Sequence, residues 1–87
     1  MRPVLVFVLT SIKNRFIGLK ITRSRRDFNR VKIKYWRESG LKYPSYVQCD
    51  YYSVIELQGE TEYIGSLKQS DYDNVVLKFN EFYKILE

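Results

Sequence analysis

The side chains available for chemistry set narrow limits. The chain has no His and a single Cys, Cys49. Catalysis by a His pair or a Ser-His triad is therefore excluded, and a zinc site would have to be built almost entirely from carboxylates. The four Gly are scattered and form no phosphate-cradling loop. Carboxylate, guanidinium, ammonium and hydroxyl groups remain. These suffice for metal-free cleavage of RNA by its own 2′-OH, which needs a base for that proton, an acid for the leaving 5′-oxygen, and donors for the charged phosphorane. Nearly every protein carries such groups, so on this ground alone the chain is a small basic domain able to meet nucleic acid.

The charge distribution sharpens that reading. The net charge is +5, but residues 1–43 carry twelve Lys/Arg against two acids, while residues 44–87 carry three Lys against eight acids. The basic half, with Lys13, Arg15, Arg23, Arg25, Arg26, Lys32 and Lys34, is what a polyanion would meet. A solvated, solubilising surface accounts for the same composition equally well. One Cys cannot form an internal disulfide, which fits a reducing compartment. The opening "MRPVLVFVLTS" lacks a small-residue cleavage site and falls far short of the ~20 residues that span a bilayer. It reads as a buried strand of a cytoplasmic protein.

The elements that must position these groups belong to one domain, residues 1–87, small enough that oligomerisation would help its stability. Val4–Ser11 is continuously apolar, as in a strand covered on both faces. Ile17–Arg23 turns Ile17, Leu19 and Ile21 to one side and Lys20 to the other. Arg30–Trp36 alternates, with Val31, Ile33 and Tyr35 against Lys32, Lys34 and Trp36. Pairing the last two segments would gather Lys and Arg on one sheet face. Tyr46–Cys49, Tyr52–Leu57 and Tyr63–Leu67 are further strands, bounded by turns at Glu38–Pro44, Asp50 and 58–62. Ser70 with Asp73 makes a capping box, after which Tyr72, Val75, Val76, Phe79, Phe82, Tyr83 and Leu86 recur at helical spacing. The expected class is α+β, an antiparallel β-barrel closed by a C-terminal amphipathic helix.

The stretch Trp36–Asp50, "WRESGLKYPSYVQCD", resembles the pattern Trp-x-x-(Ala/Ser)-Gly-Leu-x-x-Pro-Ser-x-Val-Arg of PemK-like and MazF-like toxins. "VLVFVLTS" resembles that family's strand ending in Thr-Ser, and "YIGSLKQSDYDNVVLKF" its closing segment. The resemblance runs from about Val4 to Leu86. It implies a small SH3-like barrel, incomplete here at the N-terminus, and a homodimer, with exchanged strands as one way to cover the open edge. It implies a toxin of a toxin–antitoxin system, a metal-free endoribonuclease for single-stranded RNA that needs no cofactor. The partner implied is an antitoxin with an acidic tail.

By the same resemblance Thr10 and Ser11 contact the scissile phosphate and Asp50 is the general base. A strand end satisfied by hydroxyls, and an Asp at a turn, are the plain alternatives. Gln48 departs from the family's Arg, the proposed general acid, so charge must come from elsewhere: Arg2, Lys13 or Arg15. Arg2 matches the family's Arg-Pro only if an intervening hairpin is deleted. Trp36 either stacks on a base beside the Lys face or belongs to the core, and Cys49 reads as a small buried hydrophobe. The competing functions are a non-catalytic relative that binds RNA or an antitoxin peptide, and an unrelated small phage or ribosome-associated basic protein.

Overall fold

The computed structural model describes residues 3–57 and 63–83. Arg2, the turn at 58–62 and Leu86 lie outside the described residues. Among the described residues, five strands and one helix follow in the order β1 (Val4–Leu9), β2 (Arg15–Thr22), β3 (Arg30–Lys32), β4 (Tyr46–Gln48), β5 (Ser53–Glu56) and α1 (Gln69–Tyr83).

β2 is the spine of the sheet. Its Lys20–Phe16 run pairs antiparallel with Val4–Leu9 of β1. Along its other edge Arg15–Gly18 pairs with β5, and Ile21–Thr22 pairs with β4. β4 in turn carries β3, so the order is β1-β2-β4-β3, with β5 beside β2. The strands are those of a small antiparallel barrel, but the sheet is not closed.

β1 and β2 form a hairpin. Asn14 takes a left-handed conformation (φ 65°) in its turn, which a short polar side chain tolerates. A register shift between Val6 and Val8 inserts Phe7 as an extra residue. Phe7 turns inward, where its ring lies 4.8 Å from Phe79, and its carbonyl accepts from Tyr72 Oη at 2.8 Å. β1 is not covered on both faces as its apolar run predicts, because Val4, Val6 and Leu9 are exposed.

The core is one sheet face closed by the helix: Phe7, Leu19, Ile21, Ile33, Val47, Cys49, Val75 and Phe79. Leu19 and Ile21 point inward and Lys20 outward, as the alternation requires. Val75 and Phe79, a turn apart on α1, are the helix's buried apolar residues, while Phe82 is exposed.

Three expectations are corrected. The strand expected over Arg30–Trp36 ends at Lys32 and pairs with β4, not with β2. The buried carboxylate of Asp71 accepts the backbone N–H of Lys34 and Tyr35, each at 3.0 Å. The chain then coils: Ser39 N–H donates to Tyr35 O and Gly40 N–H to Arg37 O. Coiling replaces the two-residue period with a three-to-four-residue one. Trp36, three residues after Ile33, therefore packs against the core while Tyr35 faces out. Second, residues 63–68 form no strand. Third, α1 opens at Gln69, so Ser70 lies inside it, and Asp73 accepts from Gln69 Nε2 at 2.8 Å.

Candidate functional site

Strand register decides which polar side chains meet. Directly opposed residues on antiparallel strands point to the same face. Thr22 opposes Tyr46 and Tyr46 opposes Lys32, giving one row across β2, β4 and β3. Arg30 opposes Gln48 in the next row. Lys20, two residues before Thr22, shares its side of β2. Ile21 and Val47 are buried on the other side. Asp50 follows Gln48 by two residues, just beyond the end of β4.

Asp50 is half-buried and accepts a hydrogen bond from Gln48 Nε2 at 2.9 Å. Burial alone would push its carboxyl up. Hydrogen bonds from the Asn29 and Gln48 side chains, with the charge of Arg30, outweigh that and hold it below the usual carboxylate range. The group is therefore ionised at neutral pH. Its backbone carbonyl accepts from the Tyr83 hydroxyl, which ties the end of α1 to the site. Arg30 donates from Nη1 to Ser24 O at 2.9 Å, and its Nε is buried with no partner.

Two concavities flank Arg30. A groove of about 860 Å³ is lined by Lys20, Thr22, Arg23, Arg30, Lys42 and Tyr43, among others, and a cleft of about 210 Å³ by Arg25, Asp27, Arg30, Lys32 and Tyr46. Arg30 lines both. The Arg23 guanidinium lies 4.5 Å over the Tyr43 ring. Gly40, at φ 90°, turns the chain into the Leu41–Ser45 wall of the groove.

The expected site residues divide into two groups. Arg23, Arg25 and Lys32 line the concavities, and Gln48 and Asp50 belong to the face beside them. Arg25 is held by Asp27 through two contacts, at 2.9 and 3.1 Å. Arg26 and Lys34 are exposed, the latter with Nζ 5.5 Å over the Tyr35 ring. Trp36 belongs to the core side and carries the Arg37 guanidinium 5.0 Å over its ring. Thr10, Ser11, Lys13 and Arg15 sit at the β1–β2 turn, roughly 20 Å along β1 from Pro3 of the groove at about 3.3 Å per residue. Thr10 Oγ1 donates toward Ile12 O at 3.2 Å and Arg15 O at 3.0 Å, so its hydroxyl serves the turn. Arg15 pairs with Glu56 at 3.6 Å.

The fold is similar to that of a solved structure, the Mycobacterium tuberculosis toxin MazF-mt6. The two share 23% sequence identity and superpose with a TM-score of 0.77, over 95% of this chain and 86% of that one. This is the fold of a MazF toxin. No protein-family model and no curated protein matches the sequence, so the likeness to MazF lies in the three-dimensional fold. Among the described residues no helix is long and apolar enough to cross a membrane.

Within this MazF fold, sequence reasoning missed Lys20, Thr22, Arg30, Lys42 and Tyr43. One signal was available. β2 ends in Thr22-Arg23-Ser24, a second hydroxyl pair, whose Thr22 Oγ1 accepts from Ser24 N–H at 3.3 Å. Its place at the end of a strand matches the feature assigned to Thr10 and Ser11. No local signal marked Arg30, because its importance comes from the strand it faces.

Proposed function

We propose that the chain is a toxin of a toxin–antitoxin system that cleaves single-stranded RNA without metal. The observation that carries this reading is an ionised Asp50, hydrogen-bonded to Gln48, at the end of a basic face on a MazF fold. RNA lies along the Lys20–Arg23–Lys42 groove, its phosphates neutralised by those cations. The Asp50 carboxylate takes the proton of a 2′-OH. That oxygen attacks the adjacent phosphorus, and the bond from phosphorus to the 5′-oxygen breaks, leaving a 2′,3′-cyclic phosphate and a 5′-OH. Gln48 orients Asp50 and has no proton to give, so water protonates the leaving oxygen. Of the two hydroxyl pairs, Thr22 with Ser24 is the one placed to donate to the phosphate, ahead of Thr10 and Ser11.

The same reading supplies the partners. An antitoxin with an acidic tail competes with RNA for the groove, both ligands being anionic. A second copy covers the outer side of β1, which among the described residues pairs with β2 alone; strand exchange is one form that contact takes. The chain works as one domain in the cytoplasm and needs no cofactor.

The test is incubation with mixed-sequence single-stranded RNA in EDTA and analysis of fragment ends. Cyclic-phosphate ends from wild type, lost in Asp50→Ala and reduced in Thr22→Ala but not in Thr10→Ala, are expected. RNA that is bound but uncut would favour the second reading, a non-catalytic binder of RNA or antitoxin peptide, which the neutral Gln48 supports.

A further inference from the structure

The face described above contains one guanidinium whose position is set by its strand partner. Arg30 opposes Gln48 directly across the β3–β4 ladder, and Gln48 holds Asp50. A positive charge at either of these two strand positions therefore faces the same patch. Arg30 borders both the large groove and the smaller cleft. Its hydrogen bonding is incomplete, with Nη1 committed to Ser24 O and Nε buried and unpartnered. A planar guanidinium fixed at one corner and set between two concavities suits a tetrahedral anion that offers several acceptor oxygens. Among the described residues no acid forms a salt bridge with it: Asp27 is taken by Arg25 and Glu56 by Arg15, while Asp50 feels its charge without such a contact.

We propose that Arg30 is the phosphate clamp of the site, supplying across the ladder the charge that Gln48 lacks. The bound group is a backbone phosphodiester of single-stranded nucleic acid, next to the bond that Asp50 addresses. This rests on the reading of the face as a nucleic-acid site, but not on cleavage taking place. Arg30 contacts a phosphoryl oxygen, while Gln48 remains the residue that orients Asp50.

The experiment separates the two readings by using a ligand that cannot be cut. The full chain is titrated with a mixed-sequence single-stranded DNA oligonucleotide, which lacks the 2′-OH, at several salt concentrations. Arg30→Gln is expected to bind about tenfold more weakly and to lower the slope of log K against log salt by about 0.7, the loss of one phosphate contact. Arg30→Lys should keep the slope and lose part of the affinity. Adding Gln48→Arg to Arg30→Gln should restore both, because the charge returns from the opposing strand. Circular dichroism on each variant checks folding, and the paired swap keeps the test decisive if Arg30→Gln alone is unstable. Equal affinity and slope for wild type and Arg30→Gln would overturn the clamp, as would a wild type that does not bind DNA at low salt. A wild type that binds through Arg30 but leaves RNA intact would keep the clamp and remove the ribonuclease.

Discussion

At the scale of single residues, two titrating groups lie next to each other in sequence and differ in kind. Cys49 is fully buried, and its thiol is pushed up to about 12, chiefly by burial. It should resist alkylation in the native protein at pH 8 and react only in denaturant; rapid native labelling by a thiol reagent would contradict this. Asp50, one residue on, turns outward and is held below the ordinary carboxylate range. The sign follows from linkage. A carboxyl whose folded value is depressed contributes stability above its unfolded value of about 3.9, and that contribution is lost as pH falls through the lower folded value. In the proposed cleavage the same ionised form acts as the base, so the acid limb of the rate should fall below about pH 3.9 as long as the chain stays folded. A pH–rate profile with its acid limb at pH 6 would remove Asp50 as the base.

At the scale of elements, one contact ties α1 to the coil after β3. Asp71 spends both carboxylate oxygens on the backbone of Lys34 and Tyr35, 37 and 36 residues away in sequence. Removing it leaves two N–H donors short of partners, so Asp71→Ala should cost about 2–3 kcal/mol in urea unfolding. Ser70→Ala, at a position that does not cap the helix, should stay within about 0.5 kcal/mol of wild type. Equal effects would mean that Asp71 is not the tie. Gly18 marks a second element-level constraint, because a Cβ there would meet Ile55 Cδ1 at 2.6 Å and Val4 Cγ1 at 2.9 Å. β1, β2 and β5 approach one another over this missing side chain.

At the scale of the whole molecule, cations are spread over two ends of the sheet, and the groove and the cleft lie at one of them. Lys20→Gln with Arg23→Gln should weaken RNA binding and flatten its salt dependence, while Lys13→Gln with Arg15→Gln should leave both nearly unchanged. The reverse outcome would place the RNA at the β1–β2 turn. β1 exposes Val4, Val6 and Leu9, and the turn after it exposes Ile12, an apolar strip that a second copy would cover. Light scattering should give twice the chain mass, with Val6→Lys shifting it toward the monomer. A wild-type monomer across the micromolar range would rule the dimer out.

Much of this molecule follows from local pattern. The inward set of Leu19 and Ile21, the helix stripe of Val75 and Phe79, the buried Cys49 and the chemistry left by the absence of His are all legible along the chain, because alternation and helical spacing are properties of neighbouring residues. The resemblance of Trp36–Asp50 to the PemK/MazF pattern led to the fold for the same reason. Tertiary structure decided which strands lie side by side. β4 stands between β2 and β3, so Lys32 meets Tyr46 and Arg30 meets Gln48, and neither faces β2. Asp71, from the far end of the chain, stops β3 and turns Trp36 inward. Thr10 closes a turn, while Thr22 joins the basic groove. Arg30 acquires its place only by facing Gln48. Each of these depends on hydrogen bonds between residues distant in sequence, and the period of a segment holds no record of which partner it will meet.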